Sequence, residues 1–114
     1  MKARINYLEL PSQDVARSRS FYQGAFDWDF TEFGPTYAAT TSDDTDIGID
    51  GDAAQHSKAP LPVIEVDGLD AACKKVEQAG GRITKPIYAF PGGRRFHFAD
   101  PDGHELGVWE RTQA

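Results

Sequence analysis

Polar and apolar side chains alternate along residues 4–10 (Arg-Ile-Asn-Tyr-Leu-Glu-Leu), with Asn6, Leu8 and Leu10 on one face and Ile5, Tyr7 and Glu9 on the other. Strand side chains point to opposite faces in turn, so this spacing predicts a strand with one face buried against a helix. Pro11-Ser12-Gln13-Asp14 ends the strand and offers N-cap chemistry from Ser12 or Asp14. A helix follows to about Phe26, with Val15, Ser18, Tyr22, Ala25 and Phe26 on one stripe. Three short strands are predicted next, over 29–33, 36–41 and 45–50, with turns at Gly34-Pro35 and Ser42-Asp43-Asp44. Residues 51–60 are small, polar and without period, as in a linker.

The pattern then restarts. Residues 61–66 predict a strand with Pro62, Ile64 and Val66 on one face; Pro62 suits an edge or a strand start. Residues 67–79 predict a helix, because Leu69, Ala72, Cys73 and Val76 recur at helical spacing and Gly80-Gly81 supplies a left-handed stop. Strands are expected over 82–88, 94–99 and 105–110, the last two joined by the turn Asp100-Pro101-Asp102-Gly103. The order is βαβββ, linker, βαβββ. A shift of about 54 residues sets Tyr7 on Leu61, Val15 on Leu69, Ser18 on Ala72 and Tyr22 on Val76. The repeat is one of pattern, with little identity. Each half is too small to bury a core alone, so the halves must share one sheet system or pair with another chain. The expected organisation is a single domain over 1–114, with modules at about 1–50 and 61–114.

A chain of 114 residues, 39% hydrophobic and 26% charged, suits a folded globular domain. No apolar run approaches the roughly 20 residues of a membrane helix. The start, Met1-Lys2-Ala3-Arg4, leads straight into a patterned segment and does not read as a signal peptide. A sole cysteine, Cys73, rules out an intrachain disulfide framework and a thiolate zinc cluster, and makes a reducing cytoplasm the expected compartment. The net charge of −6 comes without a basic stripe, since Arg94-Arg95 is too short to make one. A nucleic-acid partner is therefore not expected, nor a membrane. The acidic balance weakly favours cationic ligands.

Three stretches together resemble the vicinal oxygen chelate superfamily, which includes glyoxalase I, extradiol dioxygenases and bleomycin-resistance proteins. The segment from Asp14 to Tyr22 is similar to the family's D-x-x-x-S-x-x-F-Y helix. The segment from Val66 through the second helix to Gly81 carries the resemblance on. Phe98-Ala99-Asp100-Pro101-Asp102-Gly103-His104-Glu105-Leu106 is similar to its F-x-D-P-D-G-N turn and strand. The resemblance implies an α+β fold in which two tandem βαβββ modules form a curled mixed sheet around a cavity, with each helix on the convex side. It also implies a small-molecule ligand and a homodimer. Metal enzymes of the family place a His on a module's first strand and a Glu on its last. A divalent ion held there chelates vicinal substrate oxygens.

Carried onto this sequence, those ligand positions are Tyr7, seven residues before Asp14, its second-half counterpart Leu61, Gly107, four residues after Gly103, and Gly48 as the first-module counterpart. Two glycines and a leucine offer no ligating side chain, and a lone tyrosine holds a divalent ion poorly. The expectation is no metal and no cofactor.

His56 falls in the linker, and His104 in a turn whose alternation points it to the helix side or the rim. His97 lies between Phe96 and Phe98; if these face the helix, His97 faces the cavity, as a catalytic group or as a hydrogen-bonded sheet residue. By alternation Glu9 shares the face of Tyr7, Val63 and Glu65 that of Leu61, and Glu105 that of Gly107. A carboxylate there could act as a general base or hold a cation, or sit solvated at a strand end. His97, Glu9 and Glu105 are the catalytic candidates. The aspartates at 43, 44, 46, 50 and 52 lack EF-hand spacing and read as a solvated turn. Tyr7, Tyr37, Trp28 and Trp109 could line a cavity for a flat ligand or serve as packing. Gly92-Gly93 fits a hairpin turn better than a flap or an anion nest, and Cys73 a core position. The sequence thus points to a small-molecule-binding member of the glyoxalase and bleomycin-resistance group that does not use the family metal. One alternative is a metal-dependent lyase, isomerase or dioxygenase with Glu9, Glu65, His97 and Glu105 as unconventional ligands. Another is an interaction module with a collapsed cavity.

Overall fold

The computed structural model describes residues 2–112. It holds eight strands and two helices in the expected α+β order. The chain divides into two compact units. One is Tyr7–Leu61; the other joins the chain's start through Asn6 to everything from Pro62 onward.

The Tyr7–Leu61 unit takes most of β1 (Ala3–Pro11), then α1 (Val15–Phe26), β2 (Thr31–Glu32), β3 (Tyr37–Ala39) and β4 (Asp46–Asp50). The strand order is β2-β3-β4-β1. β1 and β4 run parallel, with Tyr7 opposite Asp46 and Glu9 opposite Gly48. β3 runs antiparallel to β4, with Tyr37 opposite Asp50 and Ala39 opposite Gly48. This register sets Tyr7, Glu9, Tyr37, Gly48 and Asp50 on one face.

Of the two candidate caps for α1, Asp14 does the capping, accepting the Arg17 N–H at 3.1 Å. Ser12 bonds Ser18 through their hydroxyls at 2.8 Å and ties the helix to the end of β1. No residue of α1 is fully buried: Val15, Ser18 and Tyr22 are half-covered, while Ala25 and Phe26, expected on the same stripe, are exposed. β2 and β3 are also shorter than their patterns predicted. The turn expected to be solvated is knit by Asp46, whose carboxylate accepts from the Thr40 hydroxyl at 2.7 Å and the Ser42 N–H at 2.8 Å. Burial works to raise the Asp46 pKa, but these bonds outweigh it and hold the group below its ordinary value.

The second unit carries β5 (Leu61–Val66), α2 (Leu69–Gln78), β6 (Arg82–Phe90), β7 (Gly93–Ala99) and β8 (Glu105–Arg111), in the order β5-β8-β7-β6. β5 pairs parallel to β8, with Val63 opposite Gly107 and Glu65 opposite Trp109. β7 pairs antiparallel to β8, with Phe96 opposite Val108 and His97 opposite Gly107. Val66, Leu69, Ala72, Phe96 and Val108 form the buried core, and Ile64, Cys73, Val76, Ile83, Ile87 and Phe98 pack against it. The apolar stripe of α2 meets the sheet as its spacing predicted. Cys73 lies against this core, and burial raises its thiol pKa.

Gly68 gives α2 no side-chain cap. The cap comes instead from β8, where Glu110 Oε1 accepts the Leu69 N–H at 3.0 Å. Arg94 holds the other oxygen of Glu110 through Nε at 3.0 Å and Nη2 at 2.6 Å. The Arg94 bonds and the Leu69 N–H hold Glu110 below the usual carboxylate range. Gly93 closes the hairpin between β6 and β7. A Cβ there would fall 1.9 Å from the Glu110 carbonyl oxygen, at φ +155°.

Asn6, on β1, is bonded to side chains of β5 and β8. It is 4% exposed, donates to Glu65 Oε1 at 2.7 Å and accepts from Trp109 Nε1 at 3.2 Å. A buried amide needs such partners, and an aliphatic helix face supplies none.

Phe96→Ala is expected to destabilise the fold by about 3–5 kcal/mol in chemical denaturation, because Phe96 is fully buried. Glu110→Ala should remove a tertiary cap at a cost of about 1 kcal/mol near neutral pH. The folded pKa of Glu110 is depressed. Its contribution is therefore present above the unfolded-state value of about 4.3 and is lost as pH falls through the folded value, so the difference from wild type should shrink in acid. A pH-independent difference would contradict the carboxylate as the capping group.

Candidate functional site

In the Tyr7–Leu61 unit, two tyrosines and a glutamate form a directed chain of hydrogen bonds. Tyr37 Oη donates to Glu9 Oε2 at 2.8 Å, and the Tyr7 and Tyr37 hydroxyls lie 2.6 Å apart. Since the Tyr37 proton points to Glu9, Tyr7 donates to Tyr37. Burial, with the charge of Glu9, raises the Tyr37 pKa far above its ordinary value, so the phenol stays a neutral donor. Glu9 is 6% exposed. A Cβ on Gly48 would come within 2.1 Å of both hydroxyl oxygens, so the pair closes only over a glycine. Asp50, opposite Tyr37, has its pKa raised by burial; the Asp52 N–H opposes that rise and the Glu9 charge adds to it.

In the second unit, alternation on β7 sends Phe96 and Phe98 to the α2 side and His97 with Arg95 to the other. His97 is 4% exposed. Its Nε2 lies 3.0 Å from Arg95 Nη2 and 3.3 Å from Tyr88 Oη, and its Nδ1 lies 3.4 Å from Glu105 Oε2. A guanidinium can only donate, so Nε2 accepts, and the ring proton is assigned to Nδ1, facing Glu105. Thr84 steadies that carboxylate through a hydroxyl bond of 2.9 Å. Lys85 Nζ and the Arg95 guanidinium sit over the Tyr88 ring, 5.4 and 5.9 Å from its centroid. On β8, Trp109 bonds Asn6 and carries the Arg111 guanidinium 5.0 Å from its centroid, while Arg111 Nε donates to Glu65 at 2.8 Å.

The structure thus brings Tyr7, Glu9, Tyr37 and Gly48 together in one unit, and His97 with Glu105, and Glu65 with Trp109, in the other. Val63 and Gly107 are buried opposite one another, and Leu61 is buried at the start of β5. His104 is exposed in its turn, and His56 is half-buried with Nδ1 2.7 Å from the Ser57 carbonyl. Trp28 stacks on Tyr22 and Phe26 and borders a groove of about 520 Å³ with Asp27, Asp29, Thr40 and Asp46.

Arg95, Asn6, Lys85 and Tyr88 were not anticipated. Arg95 was legible, since it alternates with His97. Lys85 and Tyr88 were not, because irregularities between Ile83 and Lys85 and between Lys85 and Tyr88 break the phase of β6. They put both residues beside β7's polar side, Lys85 opposite His97 and Tyr88 opposite Arg95.

The donor set does not fit the metal of the resembled family. At the positions for two ligands, Tyr7 offers a hydroxyl already bonded to Tyr37, and Gly48 offers space that the hydroxyls fill. Among the described residues, no group of three or more His, Cys, Asp and Glu side chains is placed to hold a metal ion.

Residues 4–108 match the profile of the Glyoxalase/Bleomycin resistance protein/Dioxygenase superfamily. The anthracycline biosynthesis protein DnrV of Streptomyces peucetius is 31% identical over 126 aligned positions, which cover 92% of this chain and 46% of that protein. This chain therefore spans about half the length of that relative. A glyoxalase/bleomycin resistance protein/dioxygenase superfamily member from Vibrio splendidus 12B01 superposes with a TM-score of 0.73 at 17% identity, covering 96% of this chain and 99% of that one. The hypothetical protein BH1468 from Bacillus halodurans C-125 superposes with a TM-score of 0.80 at 10% identity, covering 100% and 98%. The profile match spans nearly the whole chain and the same fold recurs in these structures: the chain belongs to the Glyoxalase/Bleomycin resistance protein/Dioxygenase superfamily.

Proposed function

We propose that this chain is a cytoplasmic, homodimeric binding protein for a flat, oxygen-bearing organic molecule, and that it works without the divalent metal of its superfamily. The observation that carries this is the Tyr7–Tyr37 hydroxyl pair closed over Gly48, which turns two expected ligand positions into a hydrogen-bonded phenol cluster. The ligand rests on the face of β7 and β8 that carries His97 and Trp109. An indole supplies apolar contact for a planar ring, and a buried imidazole with nearby cationic groups suits phenolic or quinone-type oxygens. The likeness to an anthracycline biosynthesis protein supports an aromatic natural product as the ligand class.

A second role is supported by His97 and Glu105. His97, held by Glu105 at Nδ1 and by Arg95 at Nε2, positions the Arg95 guanidinium, which can donate to an anionic ligand oxygen.

Titration of chelator-treated protein with an anthracycline, followed by calorimetry, should give saturable binding. Trp109→Ala should weaken it at least about tenfold, equivalent to about 1.4 kcal/mol. Unchanged affinity would remove Trp109 from the ligand face, and binding only after addition of Mn, Zn, Ni or Fe would overturn the metal-free proposal. Gly48→Ala should drive a methyl into the two hydroxyls and cost about 1–3 kcal/mol of stability. Wild-type stability in that variant would mean that the tyrosine pair is not held as described.

A further inference from the structure

Four aromatic side chains gather on the C-terminal half of α1 and just beyond it. The Phe21 and Tyr22 rings meet edge to face with centroids 5.1 Å apart, Tyr22 stacks on Trp28 at 5.7 Å, and Trp28 on Phe26 at 5.1 Å. The cluster is continuous, yet Phe21 is 62% exposed, Phe26 57% and Trp28 40%. Aromatic side chains bury about 150–250 Å² each, so these three leave on the order of 300 Å² of ring surface open to water. A contiguous apolar patch of that size marks an interaction surface.

The unit beneath it has little else to bury. Its fully buried hydrophobic residues are Ala38, Ala39, Ile49 and Leu61, whereas the other unit encloses Phe96, Leu69 and three valines.

We propose that a second copy of this chain covers this face, α1 packing against α1 about a two-fold axis. This rests on the homodimer proposed above and names its surface. Charge selects the occupant. Exposed Arg17 lies one turn before Phe21 on the same stripe, and exposed Asp27 and Asp29 flank Trp28 past the helix end. The strip is therefore basic at one end, aromatic in the middle and acidic at the other. Two such strips laid antiparallel set the Arg17 of each copy toward the aspartates of the other, which is the self-complementarity a two-fold contact requires. Gly24 has open space where its Cβ would stand, so a facing helix can approach closely there. The aspartates beside Trp28 and the net charge of −6 oppose docking on an anionic lipid surface. The relative noted above, with more than half its length beyond the matched part, has room to supply such a cover in cis.

Sedimentation equilibrium of the full chain tests this. The wild type should be a dimer at micromolar concentrations. Phe21→Asp/Phe26→Asp should be monomeric with an unchanged circular dichroism spectrum, because both rings are exposed in the protomer. Should that variant unfold, Arg17→Glu serves in its place: it should weaken dimerisation at least tenfold, and adding Asp27→Arg and Asp29→Arg should restore it. A monomeric wild type would overturn both this surface and the dimer. A wild-type dimer that persists through the aromatic and Arg17 variants would overturn the surface alone.

Discussion

The placement of Phe96 governs much of what the second unit can do. This side chain has no solvent exposure and packs in the cluster of Leu69, Ala72, Val66 and Val108. Because strand side chains alternate strictly, seating Phe96 against α2 commits β7 to one phase. His97 and Arg95 must then face away from the helix, where they meet each other, Tyr88 and Glu105. A slip of one residue would exchange the two sets and bury a guanidinium and an imidazole in an apolar core. The core thus acts on function through register.

The other unit is organised on a different principle. Its buried hydrophobic residues are few, and its specificity lies in polar geometry: one glycine leaves the space in which two phenols meet, and one of them donates to a buried glutamate. Such a cluster is costly to disturb, since each group depends on the others for satisfaction in a poorly solvated place. It also occupies the space at Tyr7 and Gly48, two positions that correspond to metal ligands in the resembled family.

Much of this could be read from the sequence. The second helix was clear because Leu69, Ala72, Cys73 and Val76 keep helical phase on a strand-flanked segment, and the cap at Asp14 followed from local chemistry. Tyr7 was singled out by counting back from Asp14, and Gly48 as the first-module counterpart of Gly107, without any view of the hydroxyl pair. What escaped depended on tertiary contact. Asn6 is bonded to Trp109 and Glu65 across a large sequence separation. Glu110 caps a helix that starts 41 residues earlier. Tyr88 was hidden by an irregular β6, which alternation cannot anticipate. The stripe on α1 was legible in its spacing, but nothing local reveals that no residue of it is fully buried or that β2 and β3 are so short.

The account turns on a superfamily member whose ligand-binding face works without a metal. Native mass spectrometry of untagged protein purified without chelator addresses that most directly. The account predicts chain masses with no divalent ion, alone or with a retained organic molecule. One divalent ion per chain, lost on chelation and regained on readdition, would contradict it.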